Sequence, residues 1–325
     1  MKPEPASSGD VLSSLVAAVR LSGSLQFCFM PAGNWQTDDA PAMAALAGSG
    51  PAPMPFHVVT SGSCWLKVDT ATHELAQGDV LLFPFGTGHQ LGRGCDGALV
   101  APTRSLPPGP WREVPVLRHG DGPPDVRLLC GFIRCDALRF RPLARHLPNL
   151  VLIRTADDPE LGFLRAVIGQ MAAEVDRPRP GAVSVLERLT EIVFLETVRH
   201  VITTAPAEAG GLLAALRDRR IARALELLHH DPHRAWSLAG LASASAMSRS
   251  GLAQLFKTAL GLSPMQYLRE WRLYLASVEL ACTDTGIAEL AARSGYGSEA
   301  AFCRAFARCY HLPPGAYRSA HRQAV

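Results

Sequence analysis

GYGSEAAFCRAFARCYHLPPGAYR, residues 295–318, decides the fold of the C-terminal third of the chain. Ser298 is a natural helix N-cap, because its hydroxyl can accept one of the first backbone N–H groups, and Glu299 sets negative charge against the helix dipole. Ala301, Phe302, Ala305 and Phe306 recur at helical spacing and make one buried face, while Arg304 and Arg308 stand one turn apart on another. Pro313 and Pro314 end this helix and start a short one that runs to about Tyr317. Such a helix suits the DNA major groove. Alone, the pattern equally describes a surface helix with two solvated arginines.

A second copy upstream decides between the two. MSRSGLAQLFKTALGLSP, residues 247–264, again has a serine cap, then Leu252, Leu255 and Phe256 facing inward, then a Gly–Leu–Ser–Pro exit. A short helix precedes each copy, SLAGLASAS before the first and GIAELAARS before the second. This is helix-turn-helix twice, about 50 residues apart. The charge distribution agrees. From Gly211 onward there are 14 Lys and Arg against 8 Asp and Glu, whereas residues 1–210 carry 18 against 21. The basic surplus, nearly all arginine, therefore sits on the repeat, as nucleic-acid binding needs.

The motif G-Y-x-S-x-x-x-F-x-R-x-F followed by P-x-x-Y-R resembles that of the AraC/XylS transcription regulators, over Leu212 to about His321. The resemblance implies seven helices in that stretch, with those at about 215–230 and 264–281 bracing two recognition helices, 249–259 and 298–309, that enter successive major grooves about 34 Å apart. It places Ser250, Ala253 and Gln254 of the first, and Glu299, Ala300, Cys303 and Arg304 of the second, in groove-facing positions. Gln254 could pair with adenine and Arg304 with guanine. Arg249, Lys257, Ser298 and Arg308 complete the expected DNA-binding set, Arg249 and Lys257 as phosphate contacts. Small residues dominate both helices, so readout per monomer should be modest and dependent on dimerisation.

Upstream, Asp10–Leu21 reads as an amphipathic helix, Ser24–Phe29 as a strand and Ala40–Pro55 as a loop. From Phe56 the runs FHVVTSG, CWLKVD, HELA and DVLLFPF, divided by Gly, Asp and Pro, have the rhythm of a small antiparallel barrel or jelly roll. Gly78, Pro84 and His89 follow the spacing G-x5-P-x4-H, which resembles the second cupin motif. Arg93 stands where that motif usually has Asn, and of the first cupin motif only His57 stands near its place. Arg118–Pro148 resembles the closing part of the same domain in one branch of the family, with a strand over Val126–Phe132 and an exit to the helical part at Leu147–Pro148. Pro159–Arg177 and Pro180–Thr204 read as two helices split by RPRPG, a dimer interface or a cover for the barrel. Thr203–Gly211 is a linker by composition.

The expected architecture is a two-domain α+β protein: a cupin-like antiparallel β-barrel over 1–155, a helical dimerisation or cover segment over 156–204, a linker over 205–211, and an all-α double helix-turn-helix domain over 212–322. No stretch of about 18 apolar residues and no basic-then-apolar leader is present, so a cytoplasmic protein is expected. Eight cysteines form no CxxC pair, against a zinc finger, and lack the clustering of a methyl-accepting repair site.

Three readings of the barrel stay open. It could bind an organic effector against Trp65, Leu82 and Phe83. It could hold a transition metal, zinc, nickel or copper, on His57 and His89 with Cys28 and Cys130 adding thiolates. Or Cys28 and Cys130 could be an oxidant-sensitive thiol pair. This last reading leans on the resemblance, because one cupin-bearing branch with oxidant-responsive members has cysteines at about these places and a Cys-Gly like Cys130-Gly131. Each thiol and imidazole could equally be a core residue. The resemblance implies double-stranded DNA, a second copy of the chain and RNA polymerase as partners, with activation the usual outcome. A metal-dependent cupin enzyme fused to a DNA-binding domain is the alternative; it needs a complete metal triad and open coordination positions.

Overall fold

The computed structural model describes residues 11–13, 21–39, 53–108, 111–204 and 210–322. Most of the helix expected over 10–21, the loop over 40–55 and the linker over 203–211 lie outside the described residues. The strands are β1 (Leu21–Pro31), β2 (Trp35–Thr37), β3 (Met54–Val68), β4 (Ala71–Ala76), β5 (Asp79–Leu82), β6 (Gln90–Arg93), β7 (Ala98–Val100), β8 (Val116–His119), β9 (Val126–Cys135) and β10 (Val151–Arg154). The helices are α1 (Arg141–Ala144), α2 (Gly162–Asp176), α3 (Ala182–Thr204), α4 (Gly211–Ala215), α5 (Arg219–His230), α6 (Leu238–Ala244), α7 (Arg249–Leu260), α8 (Pro264–Cys282), α9 (Ile287–Arg293), α10 (Glu299–Tyr310) and α11 (Pro314–Arg322). The chain forms two compact units: a sheet unit of Leu21–Cys135 and Pro148–His200, and a helical unit that takes in Asp136–Leu147 and everything from Val201 onward.

β3 is the spine of the sheet unit. Its first half pairs antiparallel with β9 and β5, its second half with β4 and β6. The runs FHVVTSG and CWLKVD, expected as two strands, are one, because Gly62 at φ +73° passes so close to Asp125 that the ladder continues through it. The sheet runs β7-β2-β6-β3-β9-β1-β8 and curls into a half-barrel. It is mixed rather than purely antiparallel, since β1 pairs parallel with β8 and β2 with β7. The segment after Pro148 does not leave for the helices at once, because β10 returns to pair with β5.

Two β-bulges set which side chains point into the curl. Successive residues of a strand face opposite sides, and one extra residue inverts the alternation. In β3 the register shifts between Val59 and Ser61, so the inward set changes from His57 and Val59 to Cys64, Leu66 and Val68. In β1 the shift lies between Leu25 and Phe27, so Phe27 and Phe29 face inward and Cys28 outward. The inner core gathers Trp35, Leu66, Leu81, Phe83, Leu91, Leu128 and Cys130. The outer face is covered by helices: Gly23 lies so near α3 that a Cβ there would sit 2.6 Å from Thr190.

Among the described residues from Gly211 to Arg322 there are eight helices, one more than expected, because Asp218 caps α5 and splits off α4 as a separate short turn. The repeat is visible in the backbone. Ser248 caps α7 and Ser298 caps α10, each hydroxyl accepting an amide hydrogen bond. Gly261 ends the first at φ 69° and His311 ends the second at φ 59°, both left-handed. Each helix pair has its own core, one around Leu225, Phe256, Tyr267 and Trp271, the other around Leu280, Phe302, Phe306 and Tyr317.

Candidate DNA interface and sensor centre

On α7, Leu252, Phe256 and Leu260 are buried and Leu255 packs at the core edge. The expected contact residues lie on the other side: Arg249, Ser250, Gln254 and Lys257 are exposed and Ala253 is half-buried. On α10, Phe302 and Phe306 are buried, with Ala301 and Ala305 half-buried beside them. Ser298, Glu299, Ala300, Arg304 and Arg308 are exposed, and Cys303 is half-buried at the core margin. The structure thus brings each predicted set onto one helix face. Gln254 donates to the Thr258 hydroxyl at 3.1 Å and Lys257 to the Gly261 carbonyl at 3.3 Å, exposed bonds that a nucleic acid can replace.

Inside the half-barrel, His57 and His89 meet. Their Nε2 atoms are 2.8 Å apart, and both face Asp39 Oδ2, at 3.2 Å from His89 and 3.7 Å from His57. Asp39 escaped the sequence reading because nothing around it carries a motif; only its fold position just beyond β2 brings it here. Tetrahedral coordination with bonds of about 2.0–2.1 Å separates ligand atoms by about 3.3 Å, so the three donor atoms suit a small divalent transition metal. The outer nitrogens are also occupied, as metal-ligating histidines require. His89 Nδ1 donates to the Thr87 carbonyl at 2.9 Å, and His57 Nδ1 lies 3.1 Å from the Cys130 thiol. Phe83 stacks on His89 with ring centroids 3.8 Å apart and closes the site.

The electrostatics follow from burial. His57 is pushed down to about 3, first by loss of solvent and then by neighbouring His89, so its imidazole is neutral and its lone pair available. Burial alone would raise the Asp39 carboxyl, but the hydrogen bond from His89 and the nearby imidazoles hold it below the usual range. Burial pushes the Cys130 thiol well up, aided by the negative Asp39.

Other predicted sensor residues are placed elsewhere. Cys28 pairs with Leu129 and lies on the outer face, while Cys130 pairs with His57 on the inner face. Facing opposite sides of one sheet, they cannot join as a disulfide without remaking β1, and Cys28 cannot reach the imidazoles. Cys130 approaches His57 Nδ1, not Nε2, and so partners a ligand instead of completing the coordination set. Cys28 is fully buried; Arg127 Nε donates to its sulfur at 3.3 Å, and the same guanidinium donates to Asp176 on α2 at 2.8 Å. Burial raises the Cys28 thiol despite Arg127, the opposite of what a reactive cysteine needs. Of the expected effector wall only Phe83 lines the inner core. Trp65 faces outward over Gly92 and bonds the Gly94 carbonyl, and Leu82 pairs with Phe56 on the outer side.

Comparison with known proteins agrees with both halves. A family model described as Cupin matches residues 10–203, and one described as Helix-turn-helix domain matches 241–320. A putative AraC-like transcription regulator of Streptomyces lividans is 32% identical over 95% of this chain and 96% of its own. The HTH-type transcriptional regulator MtrA of Neisseria gonorrhoeae is 30% identical over 95% of this chain and 98% of its own. A solved DNA-binding domain of AdpA in complex with a target DNA is 28% identical, covering 32% of this chain and 95% of that one at a TM-score of 0.31. With a cupin sensing unit, two capped recognition helices that present polar faces, and full-length likeness to such regulators, the chain belongs to the AraC-type DNA-binding transcription regulators.

Proposed function

We propose that this regulator senses a divalent transition metal on Asp39, His57 and His89 and reads operator DNA with α7 and α10. The convergence of three donor atoms in one buried pocket carries the metal reading. Bound there, a zinc, nickel or copper ion supplies a fixed positive charge to the middle of the half-barrel. His89 Nδ1 donates to the Thr87 carbonyl and His57 Nδ1 faces the Cys130 thiol, so both Nε2 atoms would be left to hold the ion. His57 would then carry its proton on Nδ1 and donate it to the Cys130 sulfur, which would link the site to β9 through that contact.

Arg304 and Gln254 are the base-reading residues of this proposal, Arg249, Lys257 and Arg308 the phosphate contacts, and Ser250, Ala253, Ser298, Glu299, Ala300 and Cys303 the remaining groove-facing positions. α3 supports a homodimer: its buried row Leu186, Thr190, Val193 and Thr197 packs inward, and a second apolar row, exposed Val185 with half-buried Leu189, Ile192 and Leu195, keeps part of its surface toward solvent. Paired half-sites and a contact with RNA polymerase in the cytoplasm complete the reading. No catalytic role is proposed, and the relatives, regulators by name, lend the enzyme alternative no support.

Native mass spectrometry of the purified reduced full chain tests the sensor. The expected result is one zinc, nickel or copper per chain, lost in His57→Ala and in Asp39→Ala. A bare chain that takes up none of these metals on titration would sink the metal reading, and a bound organic mass would replace it with an effector.

A further inference from the structure

The segment Asp136–Leu147 leaves the sheet at the end of β9 and returns to it before β10, yet it is built into the helical unit. Its centre, Arg139-Phe140-Arg141, engages both halves of that unit. Phe140 is 1% exposed and sits among Tyr267, Trp271 and Tyr274 of α8, with centroids at 5.5, 5.2 and 5.6 Å, inside the core shared with the first helix-turn-helix. Arg139 donates to the Tyr317 hydroxyl on α11 and lies 5.4 Å from that ring's centroid, at the core of the second. Arg141 lines a cleft with Leu273, Ala305, Arg308 and Cys309, against the C-terminal half of α10. Pro142 is buried, Leu143 packs against the core that holds Phe140, and His146 lies so close to Gly211 that a Cβ there would sit 2.4 Å from it.

The two helix-turn-helix cores are separate clusters joined along the chain by α8. On one side the units are also tied by polar contacts, Arg272 donating to the Pro232 and Ser294 carbonyls and His233 to the Arg293 carbonyl; two recognition helices gain from acting together only if their separation matches the DNA. We infer that Asp136–Leu147 is a strap that locks the two helix-turn-helix units at one separation, with Arg139, Phe140 and Arg141 as positioning residues for DNA recognition. It rests on the reading that α7 and α10 both enter DNA. Along the chain, one end of the segment continues from β9 and the other leads into β10, which pairs with β5.

The experiment compares full-length wild type, Arg139→Ala, Arg139→Lys and Phe140→Leu. The probes are a duplex selected by the wild type from a random pool and the same duplex scrambled under the second recognition helix. In Arg139→Ala, affinity for the intact duplex should fall about tenfold, as lost effective concentration of the second contact, while affinity for the scrambled one stays within about twofold. Arg139→Lys should recover part of the loss. In hydrogen exchange without DNA, the amides of α8, α10 and α11 should exchange faster in Arg139→Ala and Phe140→Leu while β3 and β9 keep their protection. Equal losses on both duplexes, or wild-type binding and exchange in both variants, overturn the strap. If the wild type selects no DNA, the recognition reading fails and the exchange comparison still decides whether the segment ties the two units.

Discussion

His57 takes its chemistry from its two nitrogens, one turned to Asp39 and His89 and one to Cys130. Outer partners of a metal-ligating histidine are worth about 10–100-fold in affinity. Cys130→Ala should therefore weaken zinc binding by about that factor in a competition with a chromophoric chelator, whereas Cys28→Ala should leave it unchanged. Equal effects would mean that the two thiols share a site, against the bulge in β1. Gly131 is constrained differently: a Cβ there would stand 2.3 Å from the Ser24 carbonyl and 2.6 Å from the Phe56 ring. Gly131→Ala should cost the sheet unit about 1–3 kcal/mol or more, seen as a lower urea midpoint. The histidines were legible from the cupin-like spacing; Asp39 and the outward turn of Cys28 were not, because neither a long-range approach nor an inserted residue changes local composition.

At the scale of the element, α5 carries a pH-sensitive contact. His229 Nε2 lies 2.6 Å from the Tyr267 hydroxyl, and burial pushes the imidazole down to about 3. It stays neutral in the fold while the unfolded chain takes up a proton below about 6.5, so its contribution is lost as pH falls from 6.5 toward 3. Between pH 7.5 and 5 the helical unit should lose about 2 kcal/mol from this residue. His229→Gln should flatten that part of the stability profile in denaturant unfolding; an unchanged slope would show that His229 is protonated in the fold. The recognition helices were legible almost to the residue, since caps, apolar period and proline stops are local signals. Ser298→Ala should cost about 1 kcal/mol of helical-unit stability, because the hydroxyl holds the Ala301 amide.

For the whole molecule, the surplus of basic residues lies from Gly211 onward, and the measurable consequence is salt dependence. Lys257→Ala should weaken binding about equally on all sequences and lower the slope of log affinity against log salt by about 1. Arg304→Ala should cost about 1–3 kcal/mol on the selected site and relax preference at one base position. A uniform loss across sequences would make Arg304 a phosphate contact. No helix among the described residues is long and apolar enough to cross a membrane, in line with the hydropathy of the sequence.

The sequence by itself determined the double helix-turn-helix, its caps and its outward faces, the strand-rich domain before it and the histidine pair, because each is written in neighbours one to four residues apart. Only the tertiary structure decided the rest. One extra residue in β1 sent Cys28 and Cys130 to opposite faces of the sheet. Strand pairing over long separations set Asp39 beside the histidines, and packing on α8 set Phe140 in a core more than a hundred residues away along the chain. Such placements depend on where the chain returns in space, and local periodicity carries no record of that.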